Sequence, residues 1–562
     1  MRRAGVTRGG QAGLAVAPDD GVLAVAVPGA GAWLGTDLGE AGLADAELRP
    51  RWVVWSAATA TACARRGVRL ATCWDIAAVH RLLYGGWRAD AGLAWARLHR
   101  LAVASASGPA LGEPDLFDLT EDSDEPAGPD GLLRSSWVNG AWTMSPERTA
   151  RWAALAADVA SLQRAELAAL ADRPMALPVA LSESAAELLG AELSADGLPV
   201  DRALAEKLLG EIIGPRPRSD GEALRQRVAR DELVLRHAPA GMSVDLRNPV
   251  RVKDLLHRMG FDVPDTRAAR LRELRDKHPL VEALLEWRKA ERIATTYGYG
   301  WLDAHLGGDG RLRGEWTGSD GAAGRMTASA GLHNMPSVLR AAVVAEPGHV
   351  FVRADLGQIE PRVLAAVSGD PALASATLSD DLYAPVADAL KVDRPTAKVA
   401  VLGAMYGQTT GHGAVALRRL TAAYPVAMAY LDAGDRAGQA GRDLRTYGGR
   451  LVSMAPGAGP DSPARAAARG RYGRNALVQG AAAEFFKMWA VTVRARAADV
   501  GGQIVLCLHD ELLLQVPDGH AEAAARLVGD CLRETAARWA PGSAVRFLAD
   551  TRVVSAWSDA KD

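Results

Sequence analysis

Residues 503–517 read QIVLCLHDELLLQVP, two apolar runs on either side of the polar triplet His509, Asp510 and Glu511. Apolar runs of this length, parted by so short a polar break, predict two strands joined by a tight turn that lifts its acids to one edge. Alone, the segment reads as an ordinary hairpin with a polar turn. A second apolar run, HVFVRA over residues 349–354, ends at Asp355 and leads into Leu356, Gly357, Gln358, Ile359, Glu360, Pro361 and Arg362. By itself that is a strand running into a helix N-cap, where Asp is common. If the two strand ends are neighbours, Asp355 and Asp510 form a two-carboxylate site suited to magnesium, a hard cation that prefers oxygen ligands. Two such ions can activate an attacking hydroxyl and stabilise a leaving pyrophosphate.

A cationic partner lies between the two acids. Arg394 and Lys398 stand four residues apart, and Leu402 and Tyr406 continue the step. At about 100° per residue the four drift slowly around one broad helix face. Asp393 suits the N-cap of that helix, and Pro395 is tolerated in its first turn. A surface helix with two cations has the same pattern; beside a phosphoryl-transfer site, Arg and Lys neutralise the charge that moves.

In type, order and spacing together, the three segments resemble the polymerase motifs of family A (polymerase I type) DNA polymerases. They read DLGQIEPR at 355–362, R-x-x-x-K with a following YG at 394–407, and HDE at 509–511. The likeness extends to Gly324-Arg325-Met326-Thr327 and Leu332-His333-Asn334-Met335-Pro336, which look like a primer-template segment. Arg471, Asn475, Gln479 and Gly480 resemble a template-contacting helix, and Arg288, Arg292, Thr296 and Tyr297 a basic thumb helix. It covers about residue 185 to the end.

The resemblance implies a multidomain α/β and α+β fold, an RNase H-like exonuclease-type domain followed by a right-hand polymerase. The implied domains are a degenerate 3′–5′ exonuclease-like domain (1–184), thumb (185–310), first part of the palm (311–375), fingers (376–489) and second part of the palm (490–562). Asp355 and Asp510 are implied as ligands of two Mg2+ ions, with Mn2+ as a substitute, and Glu511 in an accessory catalytic role. Lys398 is implied to meet the nucleotide's phosphates and to act as general acid toward pyrophosphate, while Arg394 holds the terminal phosphate. Gln358, Glu360, Leu402 and Tyr406 would complete the nucleotide pocket, with Glu360 excluding a 2′-hydroxyl. Arg288, Arg292, Arg325, Asn334, Arg471, Asn475, Gln479 and His509 would contact primer-template DNA.

The implied activity is template-directed addition of dNTPs to a primer 3′ end, in DNA repair or replication. A single-subunit RNA polymerase has a related palm, but Glu360 at the sugar-gate position favours deoxynucleotides. A non-catalytic primer-template binding protein has no need of Asp355, Asp510, Arg394 and Lys398 together.

Two departures from the family pattern stand near the nucleotide. Leu402 occupies a position where an aromatic residue is usual, and Tyr383 one where His is usual. The amino-terminal region departs further. The strand predicted over residues 22–27 is followed by no Asp-x-Glu pair, residues 53–68 contain no acid, and Asp75 and Asp158 do not complete a metal set. An exonuclease fold with little or no exonuclease activity is expected. Because the polymerase likeness starts near residue 185, the form expected is short and actinobacterial-like, without a 5′-nuclease domain.

Composition sets the remaining bounds. A chain of 562 residues, 49% hydrophobic, is too long for one core. With 65 Lys and Arg against 67 Asp and Glu, polyanion binding must come from local basic faces. Cys63, Cys73, Cys507 and Cys531 have neither disulfide-framework nor zinc-ligand spacing. With no apolar run near the start long enough for a bilayer span, the expectation is a cytoplasmic, nucleoid-associated monomer without a membrane partner. Helices are expected over 151–171 and 284–297, and an acidic solvated loop over 118–130.

Overall fold

Apolar segments in two distant parts of the sequence build two large sheets in the computed structural model, which describes residues 5–17, 22–27, 29–102, 123–407, 413–457 and 460–560. The chain divides into two units. The first comprises Met1–Gly197, Glu315–Ala328 and Pro347–Val554; the second comprises Leu198–Gly314, Ser329–Glu346 and Ser555–Asp562.

In the first unit, β1 (Gln11–Val16), β2 (Leu23–Val27), β3 (Gly31–Gly35), β4 (Arg51–Val54) and β5 (Cys73–Asp75) form a sheet of order β3-β2-β1-β4-β5. β1 to β3 pair antiparallel, whereas β4 joins β1, and β5 joins β4, in parallel. Leu14, Val16, Leu23, Val25, Trp52 and Val54 turn one face into a core shared with Leu188 and Ala191 of the helix Ala176–Asp196. The helix Pro146–Ala168 packs on the sheet so closely at Gly13 that a Cβ there would lie 1.9 Å from the Ala153 carbonyl oxygen. The strand expected over residues 22–27 is β2. Of the expected acidic loop, residues 118–122 lie outside the described residues, and 123–130 form neither helix nor extended strand.

Four short strands pair as two-residue ladders, β6 (Leu198–Pro199) with β7 (Arg311–Leu312) and β8 (Trp316–Thr317) with β9 (Thr327–Ala328). The second large sheet is built on β10 (His349–Leu356). Between it and the remaining strands, the described residues form seven α-helices and a small hairpin, β11 (Leu444–Arg445) with β12 (Leu451–Val452). Then β13 (Gln503–Leu508), β14 (Glu511–Pro517) and β15 (Ala549–Val554) complete the antiparallel order β13-β14-β10-β15. β13 and β14 are apolar at nearly every position because both of their faces are buried. β10 runs past Asp355 to Leu356, so Asp355 is a strand residue and not a helix cap; Gln358, at φ 56°, starts the helix Ile359–Ser368.

The helix Arg394–Tyr406 starts as its sequence predicts: Asp393 accepts from the Thr396 amide at 2.8 Å, and Pro395 lies in the first turn. It ends at Gly407, φ 68°, where a Cβ would meet Arg471 Cγ at 2.7 Å, so conformation and space both demand glycine. Arg471 belongs to the helix Pro463–Ala497, whose last turns bury Phe485, Phe486 and Trp489.

The second unit is largely helical. The helices Asp220–Leu235, Pro249–Arg258 and Pro279–Thr296 enclose Val234, Val252, Leu255, Leu280, Leu284 and Trp287. All four cysteines are free and buried, and no helix among the described residues is long and apolar enough to cross a membrane.

In the first unit a charged knot ties the helix Ala176–Asp196 to the helix Pro463–Ala497 and the residues beside β12. Fully buried Glu183 meets Lys487 Nζ at 2.5 Å and Arg450 Nη2 at 2.6 Å. Burial pushes the Glu183 carboxyl up, but the two cations outweigh it and hold it below the usual range. Removing one member of such a group strands charge in the interior. Glu183→Gln is therefore expected to lower the unfolding free energy by about 3 kcal/mol, read as a lower urea midpoint.

Candidate functional site

The site begins with strand register. Asp355 on β10 lies directly opposite Glu511 on β14 and Asp550 on β15. The Leu356 amide donates to the Asp510 carbonyl at 2.9 Å, so the turn between β13 and β14 is fastened beside the end of β10. That turn is the two residues His509 and Asp510, with His509 at φ 46°. A positive φ is what a two-residue hairpin asks for, and His tolerates it better than a branched residue would.

The sheet thus gathers Asp355, Asp510 and Glu511 at one edge. The Asp510 carboxyl is pushed up to about 7, first by burial and then by the negative charge of Asp355, with Glu511 and Glu360 adding to it. Arg353, two residues before Asp355 and therefore on the same face of β10, pairs with Asp355 and with Glu511.

Glu360, in the first turn of the helix Ile359–Ser368, accepts from the Tyr406 hydroxyl at 2.8 Å and lies 3.5 Å from Arg325 Nη2. Burial and this bond push the Tyr406 hydroxyl up to about 12, and the Gln479 side chain also bonds it. Tyr406 is therefore the junction of three segments.

Gln358 and Arg394 meet on a residue that the sequence motifs did not single out. Asp381 accepts from Gln358 Nε2 at 2.7 Å and from Arg394 Nε, and the Arg394 guanidinium lies 5.7 Å from the Tyr383 ring. The Leu382 amide returns a bond to Gln358 Oε1 at 2.8 Å. Arg394 and Lys398 are exposed on their helix, and Leu402 and Tyr406 are half-buried further along it.

On the helix Pro463–Ala497, Arg471 is exposed, while Asn475 and Gln479 are half-buried. Asn475 Oδ1 is buried without a hydrogen-bond partner. Burial, then the nearby charge of Arg325, lowers the His509 imidazole below its usual range. Arg288, Arg292 and Asn334 belong to the second unit, where Arg292 Nη2 donates to the Asn334 carbonyl at 3.2 Å and Arg288 to the Thr266 carbonyl. Arg353 and Asp381 were missed because each owes its place to tertiary pairing. The one sequence signal for Arg353 is its i, i+2 spacing from Asp355.

The donor set fits a magnesium site. Among the described residues, no group of three or more His, Cys, Asp or Glu side chains is arranged to hold a metal by itself. Magnesium is commonly held by one or two carboxylates with substrate phosphates and water, and Asp355 and Asp510 supply two such oxygen donors.

The family model of DNA polymerase family A matches residues 237–559, more than half the chain and all three acidic and cationic segments of the site. The chain belongs to this family. DNA polymerase I of Chloroflexus aurantiacus is 32% identical over 292 residues, 47% of this chain and 31% of that protein. Thermostable DNA polymerase I of Thermus aquaticus is 30% identical over 299 residues, 48% of this chain and 35% of that protein. This family A chain thus spans about a third of the length of these curated relatives. A solved structure of the POL domain of Pol1 from M. smegmatis, in complex with DNA primer-template and dNTP, has a similar fold. The TM-score is 0.71 over 98% of this chain and 96% of that one, at 21% identity.

The raised Asp510 gives a pH prediction. An acid whose folded value exceeds its unfolded value destabilises the fold as it ionises, so stability is lost as pH rises from roughly 4 to 7. Asp510→Asn is expected to raise the melting temperature in EDTA at pH 8, with the gap to wild type closing near pH 4. Thermal melts across this range check it.

Proposed function

We propose that this chain extends a primer 3′ end on a DNA template with deoxynucleotides, by two-metal phosphoryl transfer, in DNA repair or replication. Family membership supports the reaction class. The observation that carries it to these residues is the pairing of β10 with β14, which sets Asp355 opposite Glu511 and fastens the Asp510 turn beside the end of β10 through the Leu356 amide at 2.9 Å. Two carboxylates held this close are suited to sharing divalent cations. When bound, a magnesium pair, or manganese in its stead, supplies an activated primer hydroxyl and neutralises charge on the pyrophosphate.

The chain's own residues do the rest. Arg394, resting on Asp381, is poised to exchange that carboxylate for the terminal phosphate, since both present oxygens to the same guanidinium fork. Lys398, one turn on, meets the neighbouring phosphates and donates a proton to pyrophosphate. Glu360, anchored by Tyr406, walls the sugar pocket against a 2′-hydroxyl, and Gln358, bonded to Asp381, completes the nucleotide pocket. Leu402 offers the base an apolar surface without aromatic stacking. Arg325, Arg471, Asn475, Gln479 and His509, with Arg288, Arg292 and Asn334 of the second unit, contact primer and template.

In this reading the sheet of β10 and β13 to β15 is the palm, residues 376–489 the fingers and 185–310 the thumb. The amino-terminal region is an exonuclease-type, RNase H-like domain with little or no exonuclease activity. Its sheet order supports that reading, and so do its acids: Asp75 is buried as the N-cap of the helix Ile76–Tyr84, and Asp158 is exposed on the helix Pro146–Ala168. The protein acts as a cytoplasmic, nucleoid-associated monomer.

Extension of a labelled primer with dNTPs and magnesium tests the proposal. Wild type is expected to extend, Asp510→Ala and Asp355→Ala to lose at least about 10²-fold in rate, and a lane without dNTPs to show no primer shortening. No extension by wild type sinks the polymerase reading. Glu360→Ala, which also frees Tyr406, is expected to raise the ratio of rNTP to dNTP incorporation roughly 10- to 100-fold, read by single-nucleotide kinetics.

A further inference from the structure

Beneath the candidate metal site lies a cation that the mechanism above does not use. Arg353 has a side chain only 4% exposed, yet it sits among three acids. Its Nη2 pairs with Asp355 Oδ2 and lies 3.3 Å from Glu511 Oε2, its Nε is 3.2 Å from Glu511 Oε1, and its Nη1 is 3.5 Å from Asp550 Oδ2. Both oxygens of Glu511, itself buried, thus face one guanidinium fork. Arg552, opposite Arg353 on β15, meets Asp550 at 3.3 Å and shares that acid.

We propose that Arg353 is a positioning residue, a built-in counter-ion that keeps Glu511 out of the metal-ligand set and opposes divalent loading on Asp355 until a nucleotide's phosphates arrive. The proposal rests on the reading of Asp355 and Asp510 as metal ligands. A guanidinium stays charged at any working pH, so its repulsion of a divalent cation cannot be titrated away. In a partly desolvated site that repulsion is much stronger than in water. With Glu511 held on the Arg353 fork, no three acids of the described residues are arranged to take a metal; without Arg353, Glu511 can turn toward Asp355 and Asp510 and complete a three-acid set with no nucleotide present. With it, two carboxylates remain, one of them already shared with a cation, and the anionic oxygens that complete the site come with the substrate. Metal occupancy then follows nucleotide occupancy.

Mn2+ titration of the full chain, followed by electron paramagnetic resonance, tests this without relying on turnover. It is run with and without a non-hydrolysable deoxynucleotide triphosphate analogue. Arg353→Met is expected to bind nucleotide-free Mn2+ at least about tenfold tighter than wild type, about 1.4 kcal/mol. Arg353→Lys, which keeps the charge, stays near wild type, and adding Glu511→Gln to Arg353→Met removes the gain. Glu511→Gln alone, a mild change that guards against misfolding of the methionine variant, leaves Arg353 paired with Asp355 and is expected to bind nucleotide-free Mn2+ no tighter than wild type. A folded Arg353→Met that binds no tighter, or a Glu511→Gln that binds tighter than wild type, overturns the counter-ion role while leaving the polymerase reading intact. Absence of Mn2+ binding by wild type even with the analogue overturns both.

Discussion

The pairing of β10 with β14 is the constraint on which the site depends. It sets Asp355 opposite Glu511 and binds the Leu356 amide to the Asp510 carbonyl. Side chains alternate along a strand, so a slip of one residue would turn Asp355 to the other face of the sheet and Arg353 with it. The register is protected by burial: Phe351, Val352, Ala354, Leu512, Leu513 and Leu514 are all almost fully buried, on both faces. A slipped pairing would have to expose or misfit that apolar set, which makes the carboxylate geometry as well determined as the core.

Charge is arranged around this edge in matched pairs. Arg394 rests on Asp381, Arg325 lies by Glu360, and Arg353 by Asp355 and Glu511. The pairs differ in burial, and that difference separates their roles. Arg394 is half-exposed on its helix, and exposed ion pairs are worth little, so exchanging Asp381 for a more highly charged phosphate costs little. Arg353 and Glu511 are buried and cannot part without leaving a charge in the interior. One pair is suited to release its cation to a ligand, the other to hold its cation in place.

The sequence disclosed those parts of the site whose chemistry is local. The hairpin at 503–517 has unbroken apolar arms, and the 394–406 helix carries its N-cap and four-residue spacing in plain sight. That β10 runs one residue past Asp355, to Leu356, was not legible, because LeuGlyGln after an acid looks like a loop entering a helix; only pairing with both β14 and β15 holds Asp355 and Leu356 in the strand. Asp381 and Arg353 were hidden for a related reason. An acid thirteen residues before Arg394, or an arginine inside an apolar strand, has no local mark until its partner arrives from elsewhere in the chain.

The same contrast explains why an amino-terminal layer with few acids in its strands would persist. Its contacts with the second sheet are structural. Arg494, on the helix Pro463–Ala497, bonds the carbonyls of Leu70 at 2.6 Å and Ala71 at 3.1 Å while pairing with Glu192 at 2.6 Å. Asp196 pairs with Arg69 and with Gln503, the first residue of β13. The helix Ala176–Asp196 gives Leu188 and Ala191 to the amino-terminal core and Glu183 to the buried knot with Lys487. Stripping this layer away would uncover that helix and the charges it neutralises. Asp75 shows the outcome at a single residue: buried completely, it spends one carboxylate oxygen capping the helix Ile76–Tyr84 through the Ala78 amide at 2.8 Å. An acid in that position serves the fold of its own domain, and through the shared helix it serves the sheet that carries Asp355 and Asp510.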